Sequence, residues 1–118
     1  MEQTDYKIGH LRIKYLDMAN ISFAQQQYSI SSGFVEDFIG TIDEKSTAGI
    51  EIKNEFDKCV ERKADQIKKL KDKVANLGYL EKRDIENKER EQIEINNIHD
   101  KKEICWRIAL SNGLFNEQ

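Results

Sequence analysis

Two opposed runs of charge are the most informative feature of this sequence. Residues 58–73 hold Lys58, Arg62, Lys63, Lys68, Lys69, Lys71 and Lys73 against Glu61, Asp65 and Asp72. Residues 84–100 hold Asp84, Glu86, Glu89, Glu91, Glu94 and Asp100 against Lys88 and Arg90. Three kinds of chemistry fit this split. Antiparallel neighbouring helices would pair the charges and set their own register, each exposed pair contributing about 0–1 kcal/mol. Alternatively, Lys58, Arg62, Lys69 and Lys73 fall near one helical face and can meet phosphates. In the mirror case, Glu89, Glu91 and Glu94 imitate a nucleic-acid backbone and fill a basic groove. No aromatic is interleaved with the lysines, so no base-stacking platform is suggested. Register setting is the expected role.

Nucleophiles and metal ligands are sparse. His99 and Glu103 form an i, i+4 pair, but two ligands do not make a metal site. Cys105 lies six residues from His99, roughly 240° around an α-helix, so thiol and imidazole do not face each other. Cys59 and Cys105 form no CxxC pair and read as buried thiols. A hairpin centred on Gly78 would offset them by about eight residues, ~12 Å along the axis, too far for a disulfide. No GxGxxG, GxxxxGK[ST] or GxSxG occurs. The expectation is a protein that is not an enzyme and has no cofactor and no metal.

Apolar anchors are easier to find. Phe56, Val60, Lys63, Ile67, Leu70, Val74 and Leu77 alternate steps of four and three, a seam of about three heptads. Trp106 is the sole tryptophan, a residue type enriched at interfaces. Ile67, Leu70, Val74 and Trp106 are therefore the candidate partner-binding residues. For Trp106 the competing role, and the expected one, is closing the core under the N-terminal helices.

These residues need helices to position them. Proline is absent, which favours long helices over looped β architectures. Ile8, Leu11, Tyr15, Leu16, Met18, Ala19 and Phe23 predict a helix over 4–27, against a rival strand at Leu11–Ile13–Tyr15. Ser29–Gly33 reads as a turn, followed by a short helix over 34–39. Thr41-Ile42-Asp43-Glu44 reads as a capping box opening a long helix to Leu77, with 41–54 open between helix and hairpin. Asn76–Tyr79 is a helix stop in which Gly78 takes the left-handed conformation, and Ser111–Leu114 repeats it. The last helix, 80–112, has only Ile85 as an apolar residue between Glu81 and Gln92. It would leave Ile67, Leu70, Val74 and Leu77 uncovered, so the N-terminal helix or a second copy must cover them.

The expected fold is all-α: a small coiled-coil-like bundle of three or four helices in one domain, residues 1–118. The N-terminal helices occupy 4–40, and the long antiparallel hairpin occupies 41–113 with its turn near 78. The net charge of −3 disfavours a general nucleic-acid binder. No apolar run is long enough to span a membrane, and the polar start lacks a secretory pattern, so a cytoplasmic location is expected. The leading functional expectation is a protein–protein interaction module, such as an adaptor, assembly factor or regulatory subunit, with homodimerisation through the 56–77 seam open. The alternatives are a phage-type inhibitor occluding a nucleic-acid-handling enzyme, and a nucleic-acid accessory protein using the lysine ridge.

Overall fold

The computed structural model describes residues 8–116. Among them the chain forms four helices and no strand: α1 (Ile8–Ala24), α2 (Tyr28–Ile39), α3 (Thr47–Val74) and α4 (Tyr79–Ser111). This is the expected all-α bundle built on a long hairpin, α3–α4. Residues 4–7 of the predicted first helix lie outside the described residues.

The strand alternative at Leu11–Tyr15 is resolved by burial. Leu16, Ala19 and Ser22 are buried at steps of three, a helical stripe. The helix stops earlier than predicted, at three glutamines. Gln26 takes φ 62°, its N–H donates to the Phe23 carbonyl, and the Gln27 N–H donates to Ser22. That is a Schellman ending made without glycine. The chain therefore reverses at 25–27, and the predicted Ser29–Gly33 turn is helical instead. Its serine is put to use: the buried Ser31 hydroxyl donates to the Ala19 carbonyl at 2.7 Å, locking α2 onto α1.

The predicted capping box is also displaced. The Thr41 hydroxyl donates to the Phe38 carbonyl at 2.6 Å and accepts from Arg12 Nε at 3.0 Å, so it caps nothing. Ser46 is the true N-cap, its hydroxyl accepting from the Gly49 N–H at 3.0 Å. Gly49 is required there, because a Cβ would lie 2.2 Å from the Asp43 carbonyl oxygen. The open region 41–54 is thus a turn followed by helix. At the far end Gly78 has φ −64° and ψ 159°, an extended N-cap and not the left-handed C′ residue predicted. Gly113 does take φ 65°, with the Leu114 N–H donating to Ala109, the stop read from the sequence.

Helices α1 and α2 form an antiparallel pair that rests on α4, and α3 packs along α4. Leu16, Ala19, Val35, Phe38, Ile52, Cys59, Cys105 and Ile108 meet in one core. Arg12 ties its base, donating to the carbonyls of Thr41 at 2.7 Å and Leu114 at 3.1 Å. Lys102, 5% exposed, ties α4 to α1 by donating to Asn20 Oδ1 at 2.7 Å. Its ammonium also sits over the Phe23 ring.

The hairpin buries its own seam, contrary to expectation. Leu70 and Val74 are 3% and 0% exposed. Helix α4 packs against this face, and Ile67 and Leu77 beside them are half-buried, as are Lys82, Ile85, Glu86, Glu89 and Ile93 on α4. The seam is also rotated: Val60 is 59% exposed and Cys59 takes its place at 2%. A straight helix drifts by about 20° per heptad from a 3.5-residue repeat. The face meeting α4 at Leu70 has therefore turned onto Cys59 three turns earlier.

The molecule measures 63 × 28 × 18 Å, with a radius of gyration of 17.6 Å. A compact chain of this length would have about 13 Å. The excess is the arm. Between Tyr79 and Ile98, α4 runs on with α3 for ~29 Å, away from the head made by all four helices.

Candidate protein-docking groove

Helices α2 and α3 both lie on α4 but barely touch each other. The turn at 41–46 holds them apart, and a groove of about 320 Å³ opens between them. Glu36 and Ile39 come from the last turns of α2, Ile42 and Glu44 from the turn, and Gly49, Ile52, Lys53, Phe56 and Asp57 from α3. Ile52 is buried, while Ile39, Ile42 and Phe56 are half-buried, so three apolar side chains show part of their surface to the opening. The Lys101 ammonium stands 5.3 Å from the centre of the Phe56 ring and steadies it.

The charged residues that line the groove are Glu36, Glu44 and Asp57 against Lys53. Asp57 pairs with Lys53 at 3.1 Å, and Glu55 with Lys58 and Arg107 at 3.3 and 3.4 Å. Glu36 and Glu44 are exposed and have no ion-pair partner among the described residues.

The residues singled out from the sequence fall elsewhere. Leu70 and Val74 are buried in the hairpin seam, and Ile67 is half-buried beside them. Leu70 and Val74 have almost no surface for a partner as the hairpin stands, while Ile67 keeps part of its own. Trp106 is half-buried against the core, its ring 5.2 Å from Phe115 in an edge-to-face contact. Its indole N–H is buried without an acceptor.

The charged runs meet, as their register-setting role requires. Across the hairpin Arg62 pairs with Asp100 at 3.7 Å and Lys73 with Glu89 at 2.8 Å. Lys63 pairs with Glu94. Within α3, Lys58 pairs with Glu55 and Lys69 with Asp65. Every one of Lys58, Arg62, Lys69 and Lys73 thus has a carboxylate partner, which a phosphate backbone would have to displace. Of the three glutamates, only Glu91 is without one among the described residues.

The same pairs correct the cysteine geometry. Glu55–Arg107 and Arg62–Asp100 both set Cys59 level with residue 103, two residues or ~3 Å along the axis from Cys105. The eight-residue offset drawn from a Gly78-centred turn was too large. Both thiols are free and buried, as expected. Burial pushes Cys59 up, and pushes Cys105 up to about 12. A thiol so hard to ionise is a poor nucleophile. The His99 ring lies 5.7 Å from Phe23 and its Nδ1 3.5 Å from Asp100.

Among the described residues no group of three potential metal-ligating side chains comes together, and no helix is long and apolar enough to cross a membrane.

The groove residues lie outside the two charged runs at 58–73 and 84–100. The signal was present in 36–57: apolar Ile39, Ile42, Ile52 and Phe56 amid seven acids and two lysines.

Compared with known proteins, the chain matches no family model, no curated protein and no solved structure.

Proposed function

We propose that the protein is a non-enzymatic protein–protein interaction module whose partner docks in the α2–α3 groove. The uncovered apolar floor between two helices carries this reading. Ile39, Ile42 and Phe56 lose water contact only if something covers them. The opening, about 320 Å³, lies at the lower end of the range that takes a few anchoring side chains. The head holds the groove walls rigid through the Arg12 and Ser31 bonds, so little ordering accompanies docking. Adaptor, assembly and regulatory roles all use such helix-face recognition.

The test is a pull-down from nuclease-treated extract with the wild-type chain and with Ile42→Arg. Ile42 sits in the turn, so arginine there obstructs the groove without entering the helical core. We expect a stoichiometric protein partner on the wild type that is lost on the variant, with an unchanged circular dichroism spectrum. A partner kept by the variant, or a complex dissolved by nuclease, would overturn the reading.

A further inference from the structure

We propose that the occupant of this groove is a basic amphipathic helix presented by another protein. This rests on the docking reading above and names the partner's chemistry.

The form of the occupant follows from the walls. From Ile52 to Asp57 the α3 wall is helix interior, its backbone groups paired within the helix. An extended peptide would lay its own N–H and C=O groups on Ile39, Ile42 and Phe56 with nothing there to bond them. A helix brings its backbone satisfied and needs only an apolar stripe. Along α3 the groove runs from Gly49 to Asp57, ~12 Å, or about two turns. A partner helix fits it with apolar residues at i, i+3 or i+4, and i+7.

The charge of the occupant follows from the rim. Of the charged residues lining the groove, Asp57 and Lys53 neutralise each other by pairing, which leaves Glu36 and Glu44. Both carboxylates line the opening, are exposed and have no ion-pair partner among the described residues. A Debye length of about 8 Å at physiological salt lets these carboxylates act across so narrow an opening. Lysines or arginines flanking the apolar stripe are drawn in, and an acidic helix is repelled.

A second copy of this chain matches less well. Its most basic stretch, 58–73, has its apolar face buried against α4. Its other basic apolar feature is the arm tip, where Tyr79 and Leu80 are 76% and 73% exposed beside Lys82 and Arg83. That tip offers one helical turn where the groove spans two.

The experiment titrates the intact protein with three labelled probes of about 15 residues, long enough to form a helix, followed by fluorescence anisotropy. One is a leucine–lysine peptide with leucines at helical spacing. The second is a scramble of the same composition, and the third replaces lysine with glutamate. We expect saturable 1:1 binding of the first, with the scramble and the glutamate peptide at least about tenfold weaker. The exposed-site variant Glu36→Lys/Glu44→Lys should weaken the first peptide about tenfold, and Ile42→Arg should abolish its binding. Equal binding of the scramble, or indifference to the double reversal, would overturn the basic-helix proposal.

The two readings separate cleanly. A natural partner lost on Ile42→Arg but unaffected by the double reversal leaves the groove a docking site and removes the basic helix. A partner and a peptide both indifferent to Ile42→Arg remove both. If sedimentation of the protein alone shows self-association that both Ile42→Arg and Leu80→Asp abolish, the occupant is a second copy and the proposal is overturned.

Discussion

Gln26 holds a left-handed backbone, φ 62°, at a position where helices usually place glycine. A side chain there costs roughly 1 kcal/mol. Gln26→Gly should therefore raise stability by about 0.5–1 kcal/mol, part of it offset by the extra freedom of the unfolded chain. A chemical-denaturation midpoint that falls would show that the glutamine side chain makes up for its strain. Cys105 makes a second residue-scale prediction. Its folded pKa lies above the ordinary thiol value of 9.0, at about 12. Below pH 9 both states keep the proton and the thiol stabilises the native state in full. Above it the unfolded chain ionises first, so stability falls as pH rises toward 12, by on the order of 1 kcal/mol per pH unit. Denaturation curves across that window should show a slope that Cys105→Ala lacks.

At the scale of the element, the hairpin is held by its apolar seam and aligned by its charges. Lys73–Glu89 and Arg62–Asp100 are largely exposed at both partners, so each contributes little stability. A double-mutant cycle on Lys73→Ala and Glu89→Ala should give a coupling of about 0.5 kcal/mol or less, vanishing at high salt. A coupling of several kcal/mol would mean that the pair, and not Leu70 and Val74, holds the arm closed. The helix ends show why element boundaries were only partly legible. Gly113 behaves as its Ser-Asn-Gly-Leu context suggests, because nothing else competes for that turn. Gly78 and Thr41 do not. A helix that begins at the next residue, Tyr79, needs an extended N-cap at Gly78, and Arg12, 29 residues away in sequence, claims Thr41. Neither demand can be read from local sequence.

At the scale of the whole molecule, head and arm differ in how much core holds them. The head collects Phe38, Leu16, Ile108 and both cysteines in one cluster, while the arm has a single row of apolar contacts. Local opening follows that density. Amide exchange should therefore be faster over residues 80–92 than over 104–109 by at least about tenfold. Uniform protection would mean that arm and head open only together. The arm also explains why the uncovered seam was misjudged. Between Glu81 and Gln92 Ile85 is the sole apolar residue, yet Lys82, Glu86 and Glu89 are half-buried there, so the methylenes of charged side chains add to the apolar shielding of the hairpin. Leu70 and Val74 therefore need no second copy to bury them, since they are closed off within the chain.

What the sequence determined by itself was the helical class, the α3–α4 hairpin with its turn near 78, and the pairing of its two charged runs. Those follow from periodicity, from the absence of proline and from complementary charge, all of which act over a few turns of chain. Tertiary structure decided the rest: which face of α3 meets α4, where α1 ends, which serine is buried, and that α2 and α3 stand apart over an apolar floor. The groove exists because two elements distant in the core's layering both rest on α4 while a six-residue turn, pinned by Arg12 and by the close approach at Gly49, keeps them from closing on each other.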